Sequence, residues 1–393
     1  MRFLLIIVLF VHTAVLGSQL EEHNVAIGYS DTQELPFEMI KNTIIVPVVI
    51  DGVTYKFVLD TGGLFTISKR LQKDKQFEVV DYLDISDVNG NERSFERVKV
   101  GEISLGELNF NNREALVMSY NENYPNACYG TDGMIGRDFF DGMILQFDFN
   151  KGVIRLTNNV SVFDLKEQNK TKLRISDRGL PDVLLTINGK SEYIEFDSGS
   201  GDFFSYKSKQ ARKLRVKSSE DKLKFNGIFS FGVSSAEIKS TVRYRVKINS
   251  FKIGGIEFNN FYSNFSKPSA PRIGASILYY GRVTVDYKNL GFYFDPYPDK
   301  KEIIPFYTFG FDVVFLNDEY LVKWVLEDSN ADREKLKFGY KIKAIDNTPI
   351  EDLMKACEGY INTPEFYNKE RITLEYYDDQ GALKKASLNR IQY

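Results

Sequence analysis

Two acids stand at the ends of apolar runs, each followed by a small hydroxyl residue and a glycine: Phe57-Val58-Leu59-Asp60-Thr61-Gly62 and Ile194-Glu195-Phe196-Asp197-Ser198-Gly199. A strand of that composition delivers its carboxylate into a low-dielectric cleft. The hydroxyl of Thr61 or Ser198 can bond backbone beneath the turn. Gly62 or Gly199 permits a tight backbone and leaves room beside the carboxylates. Two carboxylates facing each other at close range cannot both ionise easily, so they share one proton and titrate as a pair. The ionised member can take a proton from a bound water while the protonated member hydrogen-bonds a carbonyl oxygen. Such a pair hydrolyses an amide with water as the nucleophile and needs no cofactor. It suits a chain whose two histidines are His12 and His23, too few for a His-rich metal site or a His-based triad. No metal is expected.

The elements that must position these acids are written twice. Ile44–Val49, an Asp51-Gly52 turn and Tyr55–Leu59 lead to Asp60, and Val183–Ile187, an Asn188-Gly189 turn and Tyr193–Phe196 lead to Asp197. Each reads as a β-hairpin with a two-residue turn. In both, the acid lies nine residues beyond the first turn residue. Met134-Ile135-Gly136 follows the first acid and Arg272-Ile273-Gly274 the second, with the glycines 76 and 77 residues downstream. Twelve residues beyond each glycine stands another acid, Asp148 or Asp286, then a turn (Asn150-Lys151-Gly152 or Asn289-Leu290-Gly291) and a further strand. This register predicts two copies of one β-rich lobe of about 125 residues. Asp148 and Asp286 are expected on the exposed side of a hairpin, stabilising its turn.

At these residues the chain resembles the aspartic proteases of the retropepsin/pepsin kind. The two acid-bearing turns match that family's paired active-site turns. Gly133-Met134-Ile135-Gly136-Arg137-Asp138-Phe139-Phe140 is similar to the strand-Gly-helix element that supports the turn in retropepsins. The resemblance covers about 36–298. It implies two β-barrel lobes with a polypeptide substrate lying between them beneath a flap, a catalytic dyad of Asp60 and Asp197, and Thr61, Gly62, Ser198 and Gly199 as its support. The sequence departs from the family at Gly63, where Ala or Ser is usual, and at Leu64, where retropepsins commonly carry an acid, so Arg137 is expected to lack its local partner. Ala275 stands where the first copy has Arg137. The hairpin at Val88-Asn89-Gly90-Asn91 is the flap candidate, and Asn226–Gly232 neighbours its counterpart.

After Phe294-Asp295-Pro296-Tyr297-Pro298-Asp299-Lys300-Lys301 the composition shifts, and this stretch reads as a linker. Beyond it the pattern predicts strands at Phe311–Leu316, Leu321–Leu326, Lys341–Ile345, Arg371–Tyr377 and Lys384–Leu388, with a helix over Ile350–Glu358. Thr308-Phe309-Gly310-Phe311 resembles the carboxylate-binding loop of PDZ domains. Leu336–Ile342 and Ile345-Asp346-Asn347-Thr348-Pro349-Ile350 are similar to later PDZ landmarks. That resemblance implies amides at Phe309, Gly310 and Phe311 receiving the C-terminal carboxylate of a peptide that adds to a sheet edge.

The 393 residues contain 31 Phe and 23 Tyr, with 43% hydrophobic and 27% charged residues, a globular composition with a mostly sheet core. A net charge of −3 offers no basic field for nucleic acid. Arg2, the apolar run Phe3–Val11 and the small residues Gly17 and Ser18 read as a signal peptide over 1–17, removed on export. No second stretch is apolar and long enough to span a bilayer. The bacterial periplasm or cell surface is the expected location, with secretion the alternative. Cys128 and Cys357, far apart in sequence, are expected as two buried unpaired thiols. The expected organisation is thus mainly β: two duplicated pepsin/retropepsin-like β-barrel lobes (36–160 and 170–298) and a small α+β PDZ-like domain (303–393). The function expected is that of an exported aspartic endopeptidase. The alternative is an inactive, protease-derived scaffold that binds peptides in the cleft or the PDZ-like groove.

Overall fold

The computed structural model describes residues 32–86, 92–119, 126–207, 213–214, 222–228, 241–266, 271–299 and 302–393. The expected signal peptide (1–17), the flap candidate at 88–91 and most of its counterpart (229–232) lie outside them. The described chain is mainly β.

Both sequence hairpins are present. Thr43–Ile50 pairs antiparallel with Val53–Asp60, and Pro181–Ile187 with Lys190–Asp197. At each turn both residues have positive φ: Asp51 (49°) and Gly52 (78°), Asn188 (47°) and Gly189 (76°). Two such residues give a turn whose twist matches that of the flanking strands, which is why Asn or Asp precedes Gly at both sites. Each acid-bearing strand then takes a parallel neighbour from far downstream. Gly133–Gly136 lies beside it with Asp60 opposite Gly136, and Arg272–Gly274 with Asp197 opposite Gly274. The same local arrangement therefore occurs twice.

The two arrangements meet through a shared sheet. Ile144–Asp148 pairs antiparallel with Gly281–Asp286, and Gln146 Nε2 donates to Thr284 Oγ1 across the seam at 3.0 Å. A continuous apolar core runs beneath both acids, with Phe147, Phe196 and Phe292 in edge-to-face contact. Asp148 and Asp286 do hold their turns, accepting from the amides of Lys151 (3.3 Å) and Asn289 (2.8 Å). They are nevertheless buried and not on an exposed side. Their strands pair with each other, so the hairpin ends are tucked into the shared sheet, and Tyr297 Oη donates to Asp148 Oδ1 at 3.2 Å.

The C-terminal residues build a second core around Phe309, Phe311, Val322, Ile342, Leu374 and Leu388. Its strands fall at Phe311–Leu316, Glu319–Leu326, Lys341–Ile345, Arg371–Tyr377 and Leu383–Asn389, close to the sequence expectation. The single helix expected over Ile350–Glu358 is instead two short ones, Ile350–Leu353 and Ala356–Ile361. The chain leaves helical geometry at Met354 (ψ 76°) and folds back until Gly359 lies against the Met354 backbone, where a Cβ would have no room.

This segment does not hang from a linker. Lys222–Gly227 pairs antiparallel with it, matching Phe225 with Leu326 and Gly227 with Trp324. Gly227 (φ 156°) sits so close to the Lys323 and Trp324 backbones that any side chain would clash. Cys128 and Cys357 are not free thiols but form a disulfide. The short helical turn Asn126–Tyr129 packs on the helix Ala356–Ile361, with Tyr129 and Tyr360 hydroxyls 2.8 Å apart, and this brings the two Cα atoms to 4.9 Å. Sequence separation hid a pairing that tertiary packing creates. Among the described residues no helix is long and apolar enough to cross a membrane.

Candidate active site

The two acids each end a strand whose residues enter the shared core, one in each of two sheets, and they meet there. The Asp60 and Asp197 carboxyl groups are hydrogen-bonded to one another. Each also accepts from the amide two residues on: Gly62 N donates to Asp60 Oδ1 at 2.8 Å, and Gly199 N to Asp197 Oδ1 at 3.0 Å. Both turns close in the same way, with Gly63 N donating to Asp60 O (3.1 Å) and Ser200 N to Asp197 O (3.0 Å).

Beneath the acids, Thr61 and Ser198 are fully buried and interlock. Thr61 Oγ1 donates to Phe196 O (2.8 Å) and accepts from Ser198 N (3.0 Å). Ser198 Oγ donates to Leu59 O (2.9 Å) and accepts from Thr61 N (2.9 Å). Each hydroxyl thus satisfies a donor and an acceptor on the opposite turn. The glycines leave space for the facing acid: a Cβ on Gly62 would lie 2.8 Å from Asp197 Cγ, and one on Gly199 would overlap the Asp60 carboxyl. Gly63 is as tight, since a Cβ there would lie 2.8 Å from Met134 Cε and 2.9 Å from Asp60 Oδ2. That contact accounts for glycine at this position.

Arg137 does have a local partner, contrary to expectation. Its Nη1 donates to Gly63 O at 3.0 Å, so a backbone carbonyl takes the place of the missing acid. Asp138 Oδ1 accepts from Phe65 N at 3.1 Å. In the other half Ala275 offers no hydrogen-bonding side chain, and Ser276 Oγ donates to Gly201 O at 2.5 Å instead.

Sequence reasoning assigned no role to two charged residues here. Arg272 Nε lies 3.1 Å from Asp197 Oδ2 and 3.5 Å from Glu195 Oε2. The signal was a mismatch between copies, since Glu195 and Arg272 occupy the positions of Val58 and Met134. Burial, then the charge and hydrogen bond of Asp197, push the Asp60 carboxyl well above its ordinary pKa, against the Gly62 amide and Arg272. Burial and then Asp197 also push Glu195 up, against Arg272 and Arg178. Burial opposes the charge on Arg272, but Asp197, Glu195 and Asp60 outweigh it and raise its pKa. A buried, coupled carboxyl pair that holds one proton can both donate and accept a proton in a single reaction. Among the described residues no group of three or more His, Cys, Asp or Glu side chains is placed to hold a metal ion.

Phe309, Gly310 and Phe311 are not part of this cluster. Phe309 lines a groove of about 760 Å³ together with Val313, Val314, Met354, Tyr360 and Tyr367 among others, whereas Phe311 lines a separate pocket with Arg245, Phe306 and Trp324. Gly310 has φ 88°, and its amide donates to Thr308 Oγ1 at 2.9 Å, while Phe309 and Phe311 are buried in the second core.

Residues 46–139, which carry the first acid and its supporting strand, match the family model described as aspartyl protease. Among solved structures the chain is similar to an aspartic proteinase from Irpex lacteus, at 12% identity over 68% of this chain and 98% of that chain, with a TM-score of 0.45. No curated protein matches the chain.

Proposed function

We propose that the protein is an aspartic endopeptidase in which Asp60 and Asp197 form the dyad, each contributed by one copy of a duplicated β lobe. The observation that carries this reading is the hydrogen-bonded carboxyl pair on two turns with matching amide and hydroxyl contacts. The aspartyl protease match over 46–139 supports it for the first half.

In the reaction the ionised acid takes a proton from water as the water oxygen bonds to the peptide carbonyl carbon, and the protonated acid gives its proton to the carbonyl oxygen. The dyad then carries one proton again. It passes that proton to the amide nitrogen and regains one from the diol as the C–N bond breaks, releasing an acid and an amine. Thr61 and Ser198 hold the two turns at fixed separation, which keeps both carboxyls within reach of one water.

Export with loss of residues 1–17 belongs to the same proposal. So does a PDZ-like C-terminal domain whose groove takes a peptide C-terminus; the amide of Gly310 would have to exchange Thr308 for the ligand carboxylate. Asp60→Asn and Asp197→Asn test the core of the proposal. Asn keeps the shape but cannot take up or release the dyad proton, so hydrolysis of an unstructured peptide should fall at least about 10³-fold in each, with folding retained. Wild-type turnover in either variant would place the chemistry elsewhere.

A further inference from the structure

Among the differences between the two halves, one pair of positions lies beside the dyad and changes its charge. Two residues before each acid, on the same strand and therefore the same face, stands Val58 in the first half and Glu195 in the second. Opposite them in the parallel neighbour stand Met134 and Arg272. One acid is thus flanked by an apolar pair and the other by a charged pair. Both Val58 and Glu195 are buried. Arg272 touches Asp197, and no cation among the described residues is in ion-pair contact with Asp60.

Other charged or titratable groups face the dyad from the elements packed around it. Arg178, on the turn before the second hairpin, acts on Glu195. Arg137 is turned to the Gly63 carbonyl. The buried Tyr287 hydroxyl senses both Arg137 and Asp60. None of these supplies Asp60 with a cation equivalent to Arg272.

We propose that Arg272, anchored by Glu195, is a positioning residue that fixes the single proton of the dyad on Asp60 and keeps Asp197 as the carboxylate that deprotonates water. A dyad with matched surroundings would share its proton evenly. A guanidinium in contact with one member favours the ionised form of that member, and the proton goes to the other. Glu195 holds the guanidinium in place through Oε2, 3.5 Å from Arg272 Nε. Burial weakens Glu195 as a competing negative charge, because a buried carboxyl resists ionisation. The proposal rests on the peptidase reading only for its consequence in catalysis. The location of the proton can be measured without turnover.

The test is a carbon-13 titration of the aspartate carboxyls in the full chain, with Asp60→Asn and Asp197→Asn assigning the two sites, alongside the pH profile of kcat/KM. In Arg272→Met, which copies the first half, the lower apparent pKa of the dyad should rise by at least about one unit, a tenfold change in proton affinity. The acid limb of the rate profile should move with it. Arg272→Lys should restore most of the shift, which a purely structural role would not require. Should Arg272→Met not fold, the Glu195→Val/Arg272→Met double variant, which installs the apolar pair found in the first half, should show the proton shared more evenly between the two acids. An unmoved lower pKa in Arg272→Met, or an unchanged asymmetry in the double variant, overturns the proposal. If the titrations behave as stated and the wild-type chain cleaves no peptide, the proton assignment stands and the peptidase reading fails. If the chain cleaves peptides with the titration unmoved, only the proton assignment fails.

Discussion

Replacing Ser198 by Ala removes one oxygen from beneath the dyad. In the folded chain that oxygen donates to Leu59 O and accepts from Thr61 N, both at 2.9 Å, in a site closed to solvent. Alanine can do neither, and no water can reach the site without opening it. Two buried backbone groups lose a partner, at about 1–3 kcal/mol each, so the expected loss of stability is about 2–5 kcal/mol. Ser198→Thr, which copies the first half, retains the hydroxyl and should cost much less. The reciprocal bonds make the two hydroxyls one unit. Thr61→Val and Ser198→Ala should therefore not add: the double variant should lose less than the sum by about 1 kcal/mol or more. Urea unfolding is the assay, read as a lower midpoint with an unchanged slope. Peptide hydrolysis by the folded fraction should also drop, because the separation of the acids is no longer fixed. A Ser198→Ala loss below about 1 kcal/mol, or strict additivity with Thr61→Val, would refute the interlock as what holds the two turns together.

Asp60→Asn should stabilise the fold at neutral pH. Because the folded-state pKa of Asp60 is raised, the wild type loses stability as pH climbs from the ordinary carboxylate value through the folded one, and melting temperatures across pH should show the gain of the variant growing over that window. Cys128→Ser/Cys357→Ser opens a cross-link spanning 229 residues and should cost about 2–5 kcal/mol, seen equally as a loss of stability on adding reductant to the wild type. A chain ending at Asp299 strips Lys222–Gly227 of one of its two partner strands and leaves Cys128 unpaired. It should therefore be poorly soluble, and a soluble, fully active fragment would show that the cross-strand pairing is dispensable.

The acid-bearing turns were legible because their chemistry is local. A carboxylate at a strand end followed by hydroxyl and glycine, preceded at fixed distance by an Asp-Gly or Asn-Gly hairpin, needs no knowledge of the rest of the chain, and the structure places both hairpins and both parallel neighbours at those residues. What stayed hidden depends on neighbours remote in sequence. Cys128 meets Cys357 only because two short helices pack together. Arg137 finds a carbonyl, which no side-chain motif announces. The burial of Asp148 and Asp286 follows from strands pairing across the two halves, and the broken helix at Met354 from the close approach of Gly359. Glu195 and Arg272 are an intermediate case. Both stood in the quoted repeats, and aligning one copy on the other exposes them as the charged replacements of Val58 and Met134.

The residues at the tight turn Lys41-Asn42 show why the C-terminal segment belongs with the parts that carry the two acids rather than beside them. Both have positive φ, 49° and 65°, in the turn that joins the paired strands Glu38–Ile40 and Thr43–Ile50. Lys41 Nζ donates to Thr363 Oγ1 of the C-terminal segment at 3.0 Å. Asn42 Nδ2 donates to Gly201 O at 2.9 Å, and Tyr279 Oη donates to Asn42 Oδ1 at 2.9 Å. Gly201 lies four residues after Asp197, and its carbonyl also accepts from Ser276. One turn of the first half therefore ties the loop that follows the second acid to the wall of the groove in which Lys41 and Thr363 both take part. With the disulfide and the Gly227–Trp324 pairing, three separate links run between the groove-bearing segment and the parts that carry the dyad. A ligand that displaced the helix Ala356–Ile361 would pull on Cys128 through the disulfide and on Lys41 through Thr363.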